Sequence, residues 1–316
     1  SYFYGKGTGA TPITIGNPDL KWERTLSTNI GVDFTAFRGR VDLSADYYIK
    51  NTDNLLLDIT KAPSVGVTTS RENIGEVQNS GFELRLRTFP IQNKDWQWSL
   101  GLTYAYNKNK IKKISNSLRE QNEKNKSDNG VAPLPIYEEG QSLTALKVVP
   151  SAGIDPVTGQ EIFIKRDGTY TFVYDSNDKV IFGDTNPYGT GSLNSYLTYK
   201  RFALSCTFQY SFGGSLYNET LATKVEGSNP KYNADERVLN DRWKTPGTVA
   251  KYKRIDDTTT PYQTSRFVEK NNFLRMSSLS LSYEVPTTFI QKYGLKRMFL
   301  ELLTNDLFYL STAKRE

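Results

Sequence analysis

The feature that most constrains this chain is a regular alternation of apolar and polar residues along several long runs. Between residues 26 and 36, every even position except Thr28 is apolar and every odd position is small or polar. A period of two is typical of a β-strand that has one apolar face. The same pattern recurs at 41–50, 82–87, 96–106, 193–199, 202–210, 279–283 and 298–302. We therefore predict about eight long strands.

The dimensions of one run indicate what its apolar face contacts. In the run 96–106 that face begins at Trp96 and ends at Tyr106, with Leu100 and Leu102 between them. At about 3.3 Å per residue and a tilt near 45°, this stretch rises roughly 23 Å, which matches the apolar band of an outer-membrane barrel. The mean hydropathy of −0.55 does not conflict with a membrane, because a spanning strand shows only alternate residues to lipid.

The connections between the predicted strands alternate in length. Short ones lie at 38–39, 90–95, 200–201 and 285–297, and long ones at 51–73, 107–190 and 213–272. Antiparallel membrane barrels show this alternation, with short periplasmic turns and long extracellular loops. The pattern predicts an all-β fold, an antiparallel transmembrane β-barrel segment with long extracellular loops. A soluble β-sandwich with a large aromatic inner face is the alternative.

The composition removes several classes of function. The chain has no His and a single Cys, Cys206. It therefore lacks the Ser-His-Asp and Cys-His catalytic units, histidine zinc sites and CxxC motifs. The calcium-like stretch 175–178 is followed by Lys179 and Val180, where a calcium-binding loop needs an oxygen ligand and Gly. We predict no enzyme activity, no catalytic residue, no cofactor and no metal site.

The charged residues do not indicate a nucleic-acid partner. The formal net charge of +6 is scattered over strands and connections rather than gathered into a basic block with aromatic residues. The adjacent carboxylates at 138–139 and 256–257 cannot face one another across a substrate, as a glycosidase pair must. We interpret both pairs as solvated loop charge.

The long connections supply the candidate binding residues. The polar stretch 121–129 is predicted to lack fixed structure, and 162–164 with 170–174 to form a hairpin. Aromatic side chains on the third long connection could stack on sugar rings or contact peptides; these are Tyr232, Trp243, Tyr252 and Tyr262. The alternative is that they only pack the loop onto its neighbours. On the polar strand face we expect Asp46, Glu83, Arg85 and Arg87 to face the barrel lumen.

Several collinear segments together resemble a known family. They are NPDLKWE (17–23), NIGVD (29–33), DYY (46–48), NIGEVQNSGFEL (73–84), YAYNKNK (104–110), RW followed by TPG (242–247), FLRMSSLSLSY (273–283) and NDLF (305–308). Each is weak by itself, but their order along nearly the whole chain is similar to that in the SusC/RagA family of TonB-linked outer-membrane transporters.

The resemblance implies a function and a location. Members of this family have a plug domain inside a barrel of about 22 strands, lie in the cell outer membrane, pair with a SusD-like surface lipoprotein and import glycans or peptides with energy delivered through TonB. The resemblance implies that residues 1–316 are the C-terminal portion of such a barrel, without the plug domain, the first strands and the last strands. The expected partners are outer-membrane lipid, a SusD-like lipoprotein, the TonB complex through the missing N-terminal part, and an oligosaccharide or peptide substrate.

Two other functions remain open from the sequence. One is a surface binding or adhesion barrel that does not transport, and the other is a soluble β-sandwich domain that binds glycans. The adhesion barrel would have the same membrane fold, but its full-length sequence would lack a plug domain and a TonB box. The β-sandwich domain would stay in solution without detergent.

Overall fold

The computed structural model describes residues 2–4, 7–9, 16–60, 69–229, 231, 235–257 and 259–313, and it is dominated by strands. In chain order they are β1 (Tyr2–Tyr4), β2 (Gly7–Gly9), β3 (Arg24–Ala36), β4 (Val41–Thr60), β5 (Thr69–Gln92), β6 (Trp96–Ile114), β7 (Ala145–Val148), β8 (Ser151–Ile154), β9 (Glu161–Ile164), β10 (Tyr170–Thr171), β11 (Val180–Asp184), β12 (Gly189–Tyr199), β13 (Phe202–Phe212), β14 (Ser215–Tyr217), β15 (Val268–Lys270), β16 (Phe273–Glu284) and β17 (Phe299–Ser311). The helices are α1 (Asn116–Ser127), α2 (Arg237–Asn240), α3 (Thr287–Ile290) and a π-helix at Leu221–Glu226, with 3₁₀ turns at Ser176–Asp178, Ser265–Phe267 and Gln291–Tyr293. None of the helices in these ranges has the length and hydropathy needed to cross a membrane.

Eight long strands form one antiparallel sheet in the order β17-β16-β13-β12-β6-β5-β4-β3. This number confirms the prediction of about eight, and the register shows why the pattern has a period of two. One row of paired residues crosses all eight strands and is entirely apolar: Phe34, Leu43, Leu86, Leu102, Leu193, Phe208, Met276 and Phe308. The next row points to the opposite face and carries no large apolar side chain: Thr35, Asp42, Arg87, Gly101, Asn194, Thr207, Ser278 and Asn305.

Aromatic side chains border the apolar face at both ends of the sheet. At the end with the short turns, Trp96 packs on Tyr199 with ring centroids 4.1 Å apart, and Phe202 on Tyr283 at 4.7 Å. At the other end Tyr104 stacks with Phe212 at 6.3 Å, beside Tyr210. The face between these two borders is mainly apolar and carries several leucines, among them Leu100, Leu102 and Leu204. This is the arrangement of a lipid-facing surface with an aromatic belt at each interface.

The short turns lie where they were predicted, and the first has an unusual backbone. The amide of Gly39 donates to the carbonyl of Ala36 at 3.1 Å, and the two residues between them, Phe37 and Arg38, have φ of 53° and 58°. Positive φ at both central positions defines a type I′ turn, whose twist matches that of the paired strands. The turn places β4 directly beside β3.

The strands are longer than the sequence pattern predicts. β4 continues to Thr60 and β5 already begins at Thr69, so the prediction of a long connection at 51–73 is wrong. Above the apolar band the strict alternation ends, because a polar run at 50–54 is followed by three consecutive leucines at 55–57, although backbone pairing continues. Side chains reinforce the pairing there: the Gln78 amide donates to Asn51 at 2.9 Å.

The polar stretch at 121–129 was expected to lack fixed structure, but most of it lies in α1. The Ser115 side chain accepts a hydrogen bond from the Leu118 amide and caps the helix, a favourable N-terminal signal. Leu118 is buried in a cluster with Ile59, Ile74, Ile111 and Ile114. The Asn122 side chain binds the backbone of Tyr137 in both directions. Tertiary contacts therefore order a segment whose composition suggests disorder. The hairpin predicted at 162–164 and 170–174 is confirmed in part by the pairing of β9 with β10.

Candidate functional site

The first candidate surface is the polar face of the large sheet. The register places Asp46 opposite Glu83, and Ser44 opposite Arg85. With Thr103 and Thr190 these four residues line a groove of about 370 Å³. Two carboxylates directly opposite one another repel, so this face favours a cation or a hydrogen-bond donor between Asp46 and Glu83. Asp42 lies opposite Arg87 in a nearby row of the same face.

The second candidate surface is built by the two longest connections, 115–188 and 213–272, which both leave the sheet at the end opposite the short turns. We call their folded part the loop layer. Its strands pair within each connection: β7 with β11 and β8 with β9 in the first, and β14 with β15 in the second. An isolated bridge between Val149 and Thr264 joins the connections directly.

A buried ion triad fastens the loop layer together. Arg266, in the turn Ser265–Phe267, donates to the Glu161 carboxylate of β9 at 2.7 Å and to the Glu226 carboxylate of the π-helix at 2.7 Å. Both carboxylates are buried, with side-chain exposures of 1%. Burial by itself would lower the pKa of Arg266, but the charges and hydrogen bonds of Glu161 and Glu226 outweigh it and raise that pKa above its usual value. The guanidinium therefore stays charged.

A second buried arginine organises the third long connection. Arg242 is 4% exposed, and its two terminal nitrogens donate to four backbone carbonyls, those of Val225, Glu226, Lys253 and Arg254. Its Nε is buried without a hydrogen-bond partner among the described residues. Burial lowers the pKa of Arg242, although Glu226 and Asp257 oppose that effect. The side chain thus ties the π-helix to the segment 253–254 and keeps one donor unused.

Beside Arg242 lies the larger of two neighbouring cavities, about 540 Å³ in volume. Its walls carry hydroxyl, amide and charged groups together with some apolar surface, from Val131, Thr223, Glu226, Gly227, Ser228, Asn229, Lys231, Arg242, Ile255, Asp257, Thr259, Thr260 and Pro261. Asp257 is paired with buried Lys253 at 3.1 Å. Burial opposes ionisation of Asp257, but hydrogen bonds from Thr259 and the charge of Lys253 hold its pKa below the usual value.

The structure places the predicted loop aromatics in different environments. Tyr252 is buried at 6% exposure in the core cluster of the third connection, so the expectation that its ring is open to a ligand is wrong. Tyr262 stacks on Tyr174 with ring centroids 4.3 Å apart. Trp243 donates from its indole nitrogen to the Pro156 carbonyl at 2.8 Å. Tyr232 lies outside the described residues.

Trp243 also shows why a glycine is needed on the facing connection. Gly159 has φ of 72°, and a Cβ built on it would come within 2.6 Å of the indole ring. The ring therefore lies flat against backbone that only glycine leaves open. Trp243 and Tyr262 thus both join the third connection to the second, which favours loop packing for most of their ring surface.

The side chains of Glu138, Glu139 and Asp256 are 44, 45 and 61% exposed, as predicted for solvated loop charge, and each also forms an ion pair. Glu138 pairs with buried Lys147 at 2.6 Å, and Glu139 pairs with Arg119 at 2.8 Å. In the calcium-like stretch, Asp175 instead caps the turn Ser176–Asp178 by accepting from the Asn177 amide. Within the described ranges, no group of three or more acidic or Cys side chains could hold a metal ion.

Arg266, Glu161 and Glu226 carry no local signal by which the sequence could have singled them out. They are separated by up to 105 residues, and only the folding of both connections brings them together. Arg242 was visible as part of the RW segment, although its role as a backbone anchor was not.

Comparisons with known proteins agree with this architecture. Residues 1–136 match the family model described as TonB dependent receptor-like, beta-barrel. TonB-dependent receptor P39 of Formosa agariphila is 25% identical over 97% of this chain and 34% of its own length. TonB-dependent receptor P3 of the same organism is 29% identical over 95% of this chain and 31% of its own. TonB-dependent receptor SusC of Bacteroides thetaiotaomicron is 27% identical over 84% of this chain and 26% of its own length.

Solved structures show the same fold. A structure of the RagAB peptide transporter superimposes with a TM-score of 0.82 and 23% identity, covering 99% of this chain and 34% of that one. The RagAB peptide importer in its open-open state gives a TM-score of 0.78 at 24% identity, and the match covers 99% of this chain and 34% of that one. The chain spans about a third of the length of these relatives.

The fold and the comparisons define the class: residues 1–136 match the TonB dependent receptor-like β-barrel family, the chain is similar to TonB-dependent receptors over nearly its whole length, and its location is the outer membrane. The particular relatives are of the SusC and RagA type, which confirms the resemblance seen in the sequence. They are receptors and transporters rather than enzymes. The soluble β-sandwich alternative is thereby set aside.

Proposed function

We propose that the whole protein is an outer-membrane importer of glycans or peptides, driven through TonB and working with a SusD-like surface lipoprotein. In this proposal residues 1–316 are the C-terminal portion of its barrel. The observation that carries it is the sheet with one lipid-like face, one polar face and a folded loop layer at a single end. A transporter needs all three: a membrane anchor, a polar path and a place to hold substrate before passage.

The polar sheet face supports a role in the transport path. We propose that Asp46, Glu83, Arg85 and Arg87 face the lumen, because they share the face opposite the apolar row. Charges of both signs on this wall would contact polar substrate or a plug without retaining either tightly. The structural neighbour RagAB is a peptide transporter, which supports peptides as one of the two substrate classes.

The loop layer supports a role in partner contact. We propose that the exposed edges of Trp243 and Tyr262, together with Tyr232, contribute to contact with a lid lipoprotein or with substrate. Lys231, Lys244 and Lys251 are exposed on the same connection and could hold carboxylate or hydroxyl groups.

The test uses the full-length transporter in its native membrane. Deletion of residues 228–262 should weaken association with the lipoprotein and reduce substrate uptake at equal surface abundance. Pull-down of the lipoprotein and uptake of labelled peptides and oligosaccharides measure the two effects separately. Unchanged association together with unchanged uptake would contradict the role of the loop. Binding without uptake in the unaltered protein, with or without TonB, would instead favour a surface adhesion barrel.

A further inference from the structure

The short turns lie side by side at the end of the sheet opposite the loop layer, and we call them together the turn rim. They comprise residues 37–40, 93–95, 200–201 and 285–298. Backbone hydrogen bonds join neighbouring turns to one another. The Lys200 amide donates to the Asp95 carbonyl at 2.8 Å, and the Glu284 amide donates to the Arg201 carbonyl at 2.9 Å. Groups that are far apart in the sequence therefore meet on this rim.

The turn rim holds an excess of positive charge. Its 23 residues include eight basic residues and one acidic residue, a net charge of +7, whereas the whole chain of 316 residues carries +6. The basic residues are all exposed; they are Arg38, Arg40, Lys94, Lys200, Arg201, Lys292, Lys296 and Arg297. Within the described ranges only Arg297 among them forms an ion pair, with Glu284 at 3.1 Å. The rim thus presents its positive charge to whatever surrounds it.

Aromatic side chains connect this charge to the lipid-like face of the sheet. Tyr199 packs on Trp96 in the aromatic border of that face, and the Lys200 ammonium lies over the Tyr199 ring, 5.3 Å from its centroid. Lys292 lies over the exposed ring of Tyr293 at 5.0 Å. Aromatic belts of membrane barrels lie at the depth of the lipid head groups. These ammonium groups therefore lie at that depth as well.

The connection 285–298 extends the aromatic border beyond the strand ends. It contains α3 and a 3₁₀ turn, yet it exposes large apolar side chains: Phe289 is 65% exposed, Tyr293 70% and Leu295 48%. Two exposed cations stand among them, Lys292 and Lys296. Apolar rings interspersed with Lys and Arg are typical of segments that lie in the membrane interface.

From these observations we infer that the turn rim binds the head groups of anionic phospholipids in the leaflet that meets the short turns. The lipid phosphates accept hydrogen bonds from the Lys and Arg side chains, while Phe289, Tyr293 and Leu295 contact the upper parts of the acyl chains. A zwitterionic lipid brings a cationic group together with its phosphate, so the rim favours a lipid with net negative charge. This interaction goes beyond the proposed import function and does not depend on it.

The direction in which the rim faces favours lipid over an acidic protein segment inside the barrel. Such a segment would approach from the polar face of the sheet. Tyr199 instead continues the alternation of Leu193 and Leu197 on the lipid-like face, and it is this ring that the Lys200 ammonium covers.

The first experiment measures the lipid selectivity of the full-length protein in phosphatidylcholine vesicles. Spin-labelled phosphatidylglycerol or phosphatidylcholine is added as a dilute probe, and the spin-resonance spectrum gives the fraction of probe held at the protein surface. We expect phosphatidylglycerol to associate about fivefold more tightly, because one Lys or Arg near anionic lipid contributes roughly that factor. Salt at about 1 M should remove most of this preference by screening. Equal association of the two probes, or a preference that this salt leaves unchanged, would overturn the inference.

The second experiment locates the preference on the protein. The triple variant Lys200→Gln, Lys292→Gln and Lys296→Gln removes three charges of the turn rim and should lose most of the selectivity for phosphatidylglycerol. The matched control is a triple variant at exposed lysines of the loop layer: Lys124→Gln, Lys165→Gln and Lys224→Gln. Gel mobility of unheated protein reveals a folding defect in either variant. A folded rim variant that is as selective as the control would overturn the inference, and if the rim variant misfolds, the salt dependence of the unaltered protein decides.

The third experiment tests whether the connection 285–298 lies in the membrane interface. A nitroxide label is attached at Phe289→Cys in full-length protein whose other cysteines are replaced. The ratio of its accessibility to oxygen over that to a water-soluble nickel chelate should be several-fold higher than for the same label at Leu239→Cys, since Leu239 is 63% exposed in the loop layer. Equal ratios at the two positions would place the connection in water and contradict the inference.

Discussion

At the residue scale, the loop layer depends on a few buried polar side chains. Arg266 holds two carboxylates, and Gln263, which is fully buried, donates to the carbonyls of Gly130 and Ala132 at 2.8 and 3.0 Å. The contacts of Arg266 with Glu161 and of Gln263 with Gly130 each close a loop of more than 100 residues. Such contacts affect how the connections are arranged more than they affect the net stability of the fold. The reason is that desolvation offsets much of the attraction in a buried ion pair.

We expect Arg266→Gln to loosen the loop layer strongly, because it leaves the carboxylates of Glu161 and Glu226 buried and uncompensated. Breaking a buried pair in this way costs about 3 to 5 kcal/mol. The matched control is Arg254→Gln, since Arg254 pairs with Asp256 at the surface, where solvent screening leaves an ion pair with little effect on stability. Hydrogen exchange at 161–164 and 221–226 in the full-length protein measures the difference. Equal protection in both variants would show that the triad does not fasten the layer.

At the element scale, each long strand combines a lipid-like face with a polar face. Leu102 lies in the apolar row and the next residue, Thr103, lies on the polar face, where its hydroxyl is 2.9 Å from that of Ser192. Adjacent residues of one strand therefore occupy opposite environments. Leu102 and Thr103 are therefore a matched pair of positions at which the two faces of the sheet can be compared.

Leu102→Arg should destabilise the refolded full-length protein by about 2 to 4 kcal/mol, because it places a charge against the middle of the hydrocarbon layer. Thr103→Arg should have little effect, since the polar face tolerates charge. Urea titration of the protein in lipid vesicles, followed by the gel mobility of unheated samples, measures both. Equal tolerance of the two changes would contradict the assignment of faces.

The helix α1 is the element whose stability comes most clearly from tertiary packing. Its residues are nearly all polar, yet Leu118 is 1% exposed. Leu118→Ala should cost about 2 to 5 kcal/mol of local stability, because it leaves a cavity among the isoleucines. Hydrogen exchange at 116–127 measures it, with Lys124→Ala at an exposed position of the same helix as control. Similar protection in the two variants would mean that the helix is held by other contacts.

At the scale of the whole molecule, the eight-stranded sheet is open within the described ranges, with β3 and β17 at its edges. Unpaired backbone groups at an edge invite pairing with another chain, and in hydrocarbon each costs several kcal/mol. Apolar side chains on these edge strands are also uncovered: Ile30 is 69% exposed and Leu302 is 71% exposed.

We therefore expect the 316-residue chain, produced alone, to aggregate in detergent or to require further strands. Light scattering and comparison of heated with unheated samples on a gel test this directly. A monodisperse species that migrates faster before heating would show that the chain closes by itself. Such a result would favour a small barrel of about eight strands over a segment of a larger one.

The sequence alone determined the sheet, because the alternation of apolar and polar residues acts locally. Each of the eight strands, the short turns and the lipid-like row around Leu102 follows from spacing that any neighbouring strand must match. The resemblance to SusC/RagA proteins was visible for the same reason, since its segments lie mainly on strands and at their ends.

Three features followed only from the tertiary structure. They are the continuation of β4 and β5 above the apolar band, the folding of α1 as a helix, and the burial or packing of the loop aromatics. The polar run at 50–54 and the consecutive leucines at 55–57 leave no period-two signal, so the sequence does not reveal that strand pairing continues beyond Lys50. Tyr252 is buried and Trp243 covers Gly159 because distant connections fold onto one another. The charge triad around Arg266 forms for the same reason, because contacts across more than 100 residues depend on the arrangement of the whole loop layer and not on the residues beside each group.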